Sequence, residues 1–138
     1  MWPGLTRPEL DARLVNGMLK GFIDLSFMQN GQYYVADYKS NFLASGRYTD
    51  NELIEVMLAK RYDLQAACYG LAMHRLLKSR KADYQPALHL GPAVYWFLRG
   101  SAKANHGVLR VDLPIALISA LDDMFKGIAV APQLVEAI

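Results

Sequence analysis

The sequence predicts an α/β domain on three observations. An Asn-Gly pair separates two alternating apolar runs, two consecutive helical runs follow, and a solid apolar stretch bounded by glycines precedes a last helix. In the first run, Met18 to Phe27, the apolar Ile23, Leu25 and Phe27 alternate with Asp24 and Ser26, which is the period of a strand. The second, Tyr33 to Lys39, follows Gln29-Asn30-Gly31, and Asn-Gly between two such runs signals a tight hairpin. Asn41 to Tyr48 reads as a loop, after which Thr49 or Asp50 can cap a helix that starts near Glu52. Helical spacing of Leu53, Val56, Met57, Leu64, Cys68, Leu71 and Leu76 continues to about Lys78, with a break near Arg61 and Tyr62. Ala93 to Leu98, between Gly91-Pro92 and Gly100, predicts a strand buried on both faces, with Trp96 and Phe97 in the core. Pro114 is allowed at a helix start and Gly127 at a helix stop, so the last helix runs from Pro114 to Phe125. The predicted order is β, β, α, α, β, α.

Composition narrows the class further. A chain of 138 residues with 53% hydrophobic and 20% charged residues is too apolar for disorder and has room for one core. No repeat, low-complexity tract or linker divides it. A single cysteine, Cys68, cannot form an internal disulfide, so a cytoplasmic setting is expected, with Cys68 a buried, inert thiol in the helical series. No signal-like apolar block opens the chain, and no stretch reaches the ~18 apolar residues of a membrane span. The formal net charge of +2 names no nucleic-acid partner by itself. Arg75, Lys78, Arg80 and Lys81 form a basic group that suits either a solvated helix end or a phosphate-contacting patch.

Chemistry concentrates at the hairpin. The period of two puts Asp37 and Lys39 on one face of their strand, about 7 Å apart. The hairpin can lay Asp24 beside them, so two carboxylates and one ammonium converge. Two carboxylates that close repel, and a divalent cation is the usual reason to keep both ionised. Oxygen ligands favour Mg²⁺ or Mn²⁺ over zinc, and neither Cys68 nor the scattered His74, His89 and His106 has zinc-ligand spacing. By spacing alone, Asp-x-Lys is weak evidence and fits a surface strand with an ion pair better. His74 reads as packed or solvated and His106 as part of a loop tip, while Trp2 has no role legible in the sequence.

Three ordered blocks carry a resemblance: Gly21-Phe22-Ile23-Asp24-Leu25, Asp37-Tyr38-Lys39-Ser40-Asn41, and Arg61-Tyr62-Asp63-Leu64-Gln65 with Tyr69 four residues on. Together with Leu71-Ala72-Met73-His74-Arg75, Phe97-Leu98-Arg99-Gly100 and Leu121-Asp122-Asp123-Met124-Phe125, they make the chain similar to the RecB-type nuclease family, from about Met18 to Gly127. That family is the nuclease part of exonuclease V and belongs to the PD-(D/E)xK superfamily. The resemblance implies a restriction-endonuclease-like fold, a mixed central sheet flanked by helices, and Mg²⁺-dependent hydrolysis of DNA in double-strand break repair and recombination. It implies that Asp24, Asp37 and the backbone carbonyl of Tyr38 bind the metal. Lys39 would orient or deprotonate the attacking water and offset charge on the phosphate. Gln65 and Tyr69 match the family's Gln-x-x-x-Tyr motif and, at i and i+4, share a helix face. DNA, a helicase domain or other exonuclease V subunits, and the RecA recombinase are the implied partners. No Gly-x-x-x-x-Gly-Lys-Ser/Thr occurs, so no ATP site is expected.

The chain departs from the family in one place. RecB-type nucleases carry a metal-site histidine on a helix upstream of the first aspartate, and here the first histidine is His74. Residues 1–138 therefore read as a single nuclease domain or its C-terminal fragment, with 1–17 an extension that lacks the usual N-terminal helical part. Without the upstream ligand, the alternative function is a non-catalytic DNA- or protein-binding module. Without the helix, one sheet face loses its cover, and self-association is expected to hide the apolar surface.

Overall fold

A two-residue turn starts the sheet. Asn30 and Gly31 both take positive φ, 50° and 79°, the conformation a tight hairpin requires. They join β1 (Leu25–Gln29) to β2 (Gln32–Lys39) in antiparallel register, with Leu25 opposite Ala36 and Gln29 opposite Gln32. The computed structural model describes residues 1–9, 21–102 and 106–127. After β2 the chain runs through α1 (Asp50–Ala59), α2 (Tyr62–Arg80) and the short α3 (Pro86–His89) into β3 (Leu90–Phe97). A single 3₁₀ turn, Leu98–Gly100, precedes β4 (Val108–Val111), and α4 (Ile115–Phe125) follows. The sheet order is β1-β2-β3-β4, with β2 and β3 parallel and both outer pairings antiparallel. This is a mixed sheet with helices packed against it, as an α/β domain requires.

Local chemistry explains the helix ends. Thr49 caps α1, and the Glu52 carboxylate accepts from its backbone N–H and its hydroxyl, both at 3.0 Å. The Arg47 guanidinium also reaches Glu52, at 3.0 Å. Lys60 and Arg61 separate α1 from α2, and Arg61 takes φ 53°, so the predicted break is present. Gly127, at φ 76°, follows the end of α4.

One sheet face packs under the helices. Val35, Ala93, Tyr95, Phe97, Leu109 and Val111 from the strands meet Leu53, Met57, Ala66, Met73, Leu77 and Ile118 from the helices in one core. A smaller cluster, Ala67, Leu71, Leu117 and Leu121, joins α2 to α4. Beside it the Asp122 carboxylate is buried and ringed by cations, with Arg75 Nε at 2.7 Å, Lys78 Nζ at 3.8 Å and a close contact from Lys126. His74 is packed, as expected, with Nδ1 3.0 Å from the Tyr84 hydroxyl and Nε2 3.9 Å from Asp122. Lys81 pairs with Asp83 at 2.7 Å. Three members of the basic group thus serve ion pairs within the fold.

Several expectations change. Asp24 precedes β1 rather than lying within a strand, because the ladder starts at Leu25. Every residue of β1 is exposed, so its apolar alternation points at no buried core. Trp96 is 42% exposed rather than core: β3 alternates, sending Tyr95 and Phe97 under the helices and Trp96 to the opposite face. There it joins Tyr38, 40% exposed, and Leu25, Phe27 and Val108. The four-residue β4 escapes sequence reading because so short a run has no measurable period. Cys68 is half-buried, and burial raises its thiol pKa, which fits an inert group.

The first residues dock onto α2. Met1 and Trp2 pack against the core, which gives Trp2 a structural place. The buried Asp63 carboxylate takes Arg7 Nε at 2.9 Å and Arg61 Nε at 3.2 Å, and Arg61 also donates to the Pro8 carbonyl at 2.9 Å. Removing either partner of such a pair leaves a buried charge uncompensated. Residues 10–17 of the predicted extension, the start of the first apolar run at Met18 to Lys20, and Ala104-Asn105 beside His106 lie outside the described residues.

Two groups in the α2–α4 contact couple stability to acid. Burial depresses the His74 imidazole below its ordinary 6.5, against the pull of Asp122. The unfolded chain therefore binds a proton that the folded chain rejects, and stability falls as pH drops below about 6.5. The hydrogen bond from Lys126, then those from Arg75, lowers Asp122 to about 2 against the effect of burial. Its contribution is present above the ordinary carboxylate value and is lost as pH falls through about 2. Urea melts from pH 8 down to about 2 will show a first decline that His74→Gln flattens and a second, below the ordinary carboxylate range, that Asp122→Asn flattens.

Candidate nuclease site

The site forms where β2 ends. Val35, Asp37 and Lys39 share the face that α2 covers, and the parallel register places Tyr95 of β3 beside Asp37. Asp37 is 5% exposed. Its Oδ2 is buried without a partner of hydrogen-bond geometry, yet the Lys39 ammonium stands 2.6 Å away as an ion pair. A buried ammonium needs more than one acceptor, and Gln65 Oε1 accepts from Lys39 at 2.8 Å.

The Gln65 amide is held at both ends. Its oxygen also accepts from the Tyr95 hydroxyl at 3.3 Å, while its nitrogen donates to the Tyr69 oxygen at 2.9 Å and to Asp37 Oδ1 at 3.4 Å. The Tyr69 hydroxyl donates in turn to the Phe22 carbonyl. Helical i, i+4 spacing thus lets α2 link the Asp37–Lys39 pair to the backbone that leads into Asp24. Asp24 Oδ2 accepts from the Tyr38 backbone N–H at 2.9 Å, and one step beyond the Leu25–Ala36 pairing it stands opposite Asp37. The six residues singled out by the sequence, Asp24, Asp37, Tyr38, Lys39, Gln65 and Tyr69, are therefore brought together.

Electrostatics agrees with this proximity. Burial pushes the Tyr69 hydroxyl pKa up, the Gln65 hydrogen bond opposes the rise, and the charges of Asp37 and then Asp24 add to it. Burial, and then Asp37, also raises that of Tyr95. Among the described residues, no three His, Cys, Asp or Glu side chains gather as a metal-binding group. Any cation here would rely on two carboxylates and backbone oxygen. That hard-oxygen set, in which Asp37 Oδ2 is held by the Lys39 ion pair alone, suits a divalent cation in donor chemistry.

Sequence reasoning missed Tyr62 and Tyr95. The Lys39 ammonium lies 3.9 Å from the Tyr62 ring centroid and 5.4 Å from that of Tyr95. The spacing of Tyr62, Gln65 and Tyr69, i, i+3 and i+7, carried a signal for the first. Only strand pairing places the second.

Comparisons with known proteins bear on this geometry. The family described as the PD-(D/E)XK nuclease superfamily matches residues 5–134. The RecBCD enzyme subunit RecB of Escherichia coli (strain K12) is 46% identical over 124 residues, covering 87% of this chain and 10% of its own. The subunit of the same name from Haemophilus influenzae is 40% identical over 124 residues, 88% of this chain and 10% of its own. The one from Mycobacterium tuberculosis is 40% identical over 121 residues, 80% of this chain and 11% of its own. The chain spans about a tenth of the length of these curated relatives. A mixed sheet whose second strand ends in Asp-Tyr-Lys, a helix that supplies Gln65 and Tyr69, and these matches agree: the chain belongs to the PD-(D/E)XK nuclease superfamily as a RecB-type nuclease domain.

Proposed function

We propose that this chain is the nuclease unit of a RecB-type subunit and hydrolyses DNA phosphodiester bonds with a divalent cation, Mg²⁺ or Mn²⁺. The observation that carries the reading is the buried Asp37 carboxylate, with Oδ2 lacking a hydrogen-bond partner, set against Lys39 at the end of β2. Asp24, Asp37 and the Tyr38 carbonyl would hold the cation. When bound, it supplies Lewis-acid charge beside the scissile phosphate and acidifies water. Lys39, as an ammonium, orients the attacking water, and its charge offsets the negative charge that grows on the phosphate. Gln65 gives the Lys39 ammonium a second acceptor besides Asp37, through the 2.8 Å hydrogen bond. Tyr69 holds the Phe22 carbonyl, and through it the approach to Asp24.

A place in a RecBCD-type assembly, with other subunits supplying unwinding, and a RecA contact follow as proposals from the names of the relatives and the family resemblance. Self-association is proposed on a structural observation: Leu25, Phe27, Tyr38, Trp96 and Val108 leave one sheet face apolar and exposed. In analytical ultracentrifugation the chain should sediment as a dimer or larger species at high concentration, and a persistent monomer would count against it.

The central test is cleavage of linear single- and double-stranded DNA with Mg²⁺ or Mn²⁺. Asp37→Ala and Lys39→Ala should each lower cutting by about 10²-fold or more, and calorimetry should show that Asp37→Ala loses cation binding. A folded chain that binds no cation and cuts nothing would overturn the catalytic reading in favour of a binding module. Tyr69→Phe keeps the ring but removes the bond to Phe22, so kcat should drop about tenfold at a stability change of only about 1 kcal/mol.

A further inference from the structure

We propose that Tyr62 and Tyr95 are positioning residues that hold the Lys39 ammonium in its working orientation, a role that rests on the nuclease reading above. A largely covered ammonium needs partners for its positive charge. The Lys39 side chain is 11% exposed, and its nitrogen carries three N–H donors. Gln65 Oε1 accepts from one of them at 2.8 Å, and Asp37 Oδ2 stands 2.6 Å away as an ion pair. The Tyr62 ring, 3.9 Å from ammonium to centroid, lies within cation–π range and meets the remaining positive surface.

Tyr95 acts through its hydroxyl as well as its ring. It is 1% exposed, and its O–H donates to the Tyr62 carbonyl at 3.1 Å and to Gln65 Oε1 at 3.3 Å. One phenol thus fixes both the first turn of α2 and the amide oxygen that accepts from Lys39. The two rings stand 6.2 Å apart and 13° from parallel. The Tyr62 hydroxyl reaches Asn41 Oδ1 at 3.4 Å, which connects the wall to the segment that follows Lys39. Neither tyrosine is needed to hold a cation, since Asp24, Asp37 and the Tyr38 carbonyl have that role in the proposed function. Their consequence is directional: the four carbons of a lysine side chain can rotate, and the wall selects the rotamer that keeps the charge against Asp37.

The test uses the full chain and two readouts. In ¹⁵N spectra at fixed pH, an ammonium held and shielded in this way gives a visible, slowly exchanging Lys39 signal, identified by its loss in Lys39→Arg. Tyr62→Phe should keep it, Tyr62→Leu should lose it, and Tyr95→Phe, which retains both rings but frees the Gln65 oxygen, should speed its exchange. In cleavage with Mg²⁺, Tyr62→Leu should lower kcat about tenfold with KM within about twofold, and Tyr62→Phe should restore it. A folded Tyr62→Leu chain with an unchanged Lys39 signal would overturn the proposal, as would equal kcat losses in Tyr62→Phe and Tyr62→Leu. If Tyr62→Leu fails to fold, Tyr95→Phe decides: unchanged exchange refutes the role. Absence of cleavage in the parent chain would refute the nuclease reading, while the ammonium signal would still decide whether the wall holds Lys39.

Discussion

A buried lysine next to a buried aspartate is the constraint around which this fold is arranged. The Asp37–Lys39 contact of 2.6 Å sits under α2, where either charge alone would be costly. Every neighbour answers that cost: the Gln65 oxygen accepts from the ammonium, the Gln65 nitrogen turns toward Asp37, and two tyrosine rings lie against the cation. Such a network works only when fully satisfied, because a half-satisfied one is worse than an apolar core. Asp37 Oδ2 meets the Lys39 ammonium as an ion pair and has no further hydrogen-bond donor.

Helix α2 ties this network to the rest of the molecule. Its first turn carries Asp63, which fixes residues near the start of the chain through Arg7 and Arg61. Its middle supplies Gln65 and Tyr69. Its second half meets Asp122 of α4 through Arg75 and Lys78, beside the small apolar cluster of Leu71, Leu117 and Leu121. A shift of α2 along its axis would disturb all three at once. The positions of Gln65 and Tyr69 therefore depend on ion pairs remote from the proposed chemistry.

The opposite sheet face has no comparable organisation. Tyr38 and Trp96 lie 5.9 Å apart on it and are both substantially exposed, although they alternate in sequence with the most buried residues of their strands. The same strands thus support a closed core that carries Asp37 and Lys39 on one side and a more open apolar face on the other. Two-residue alternation produces this division without any special sequence.

Much of the site was legible in the sequence because it is local. Asn-Gly fixes a hairpin through its own backbone preference, a period of two puts Asp37 and Lys39 on one face, and four-residue spacing puts Gln65 and Tyr69 on another. Ordered blocks resembling one nuclease family then linked these pieces, and the family match agrees with them. Tertiary structure alone decided which face of β3 was covered, so Trp96 emerged exposed and Tyr95 came to lie beside Asp37. It alone placed the tyrosine wall on Lys39 and the Arg7–Asp63 contact across 56 positions. Local periodicity says which residues share a face; what that face meets depends on strand pairing and helix packing between residues far apart in the chain.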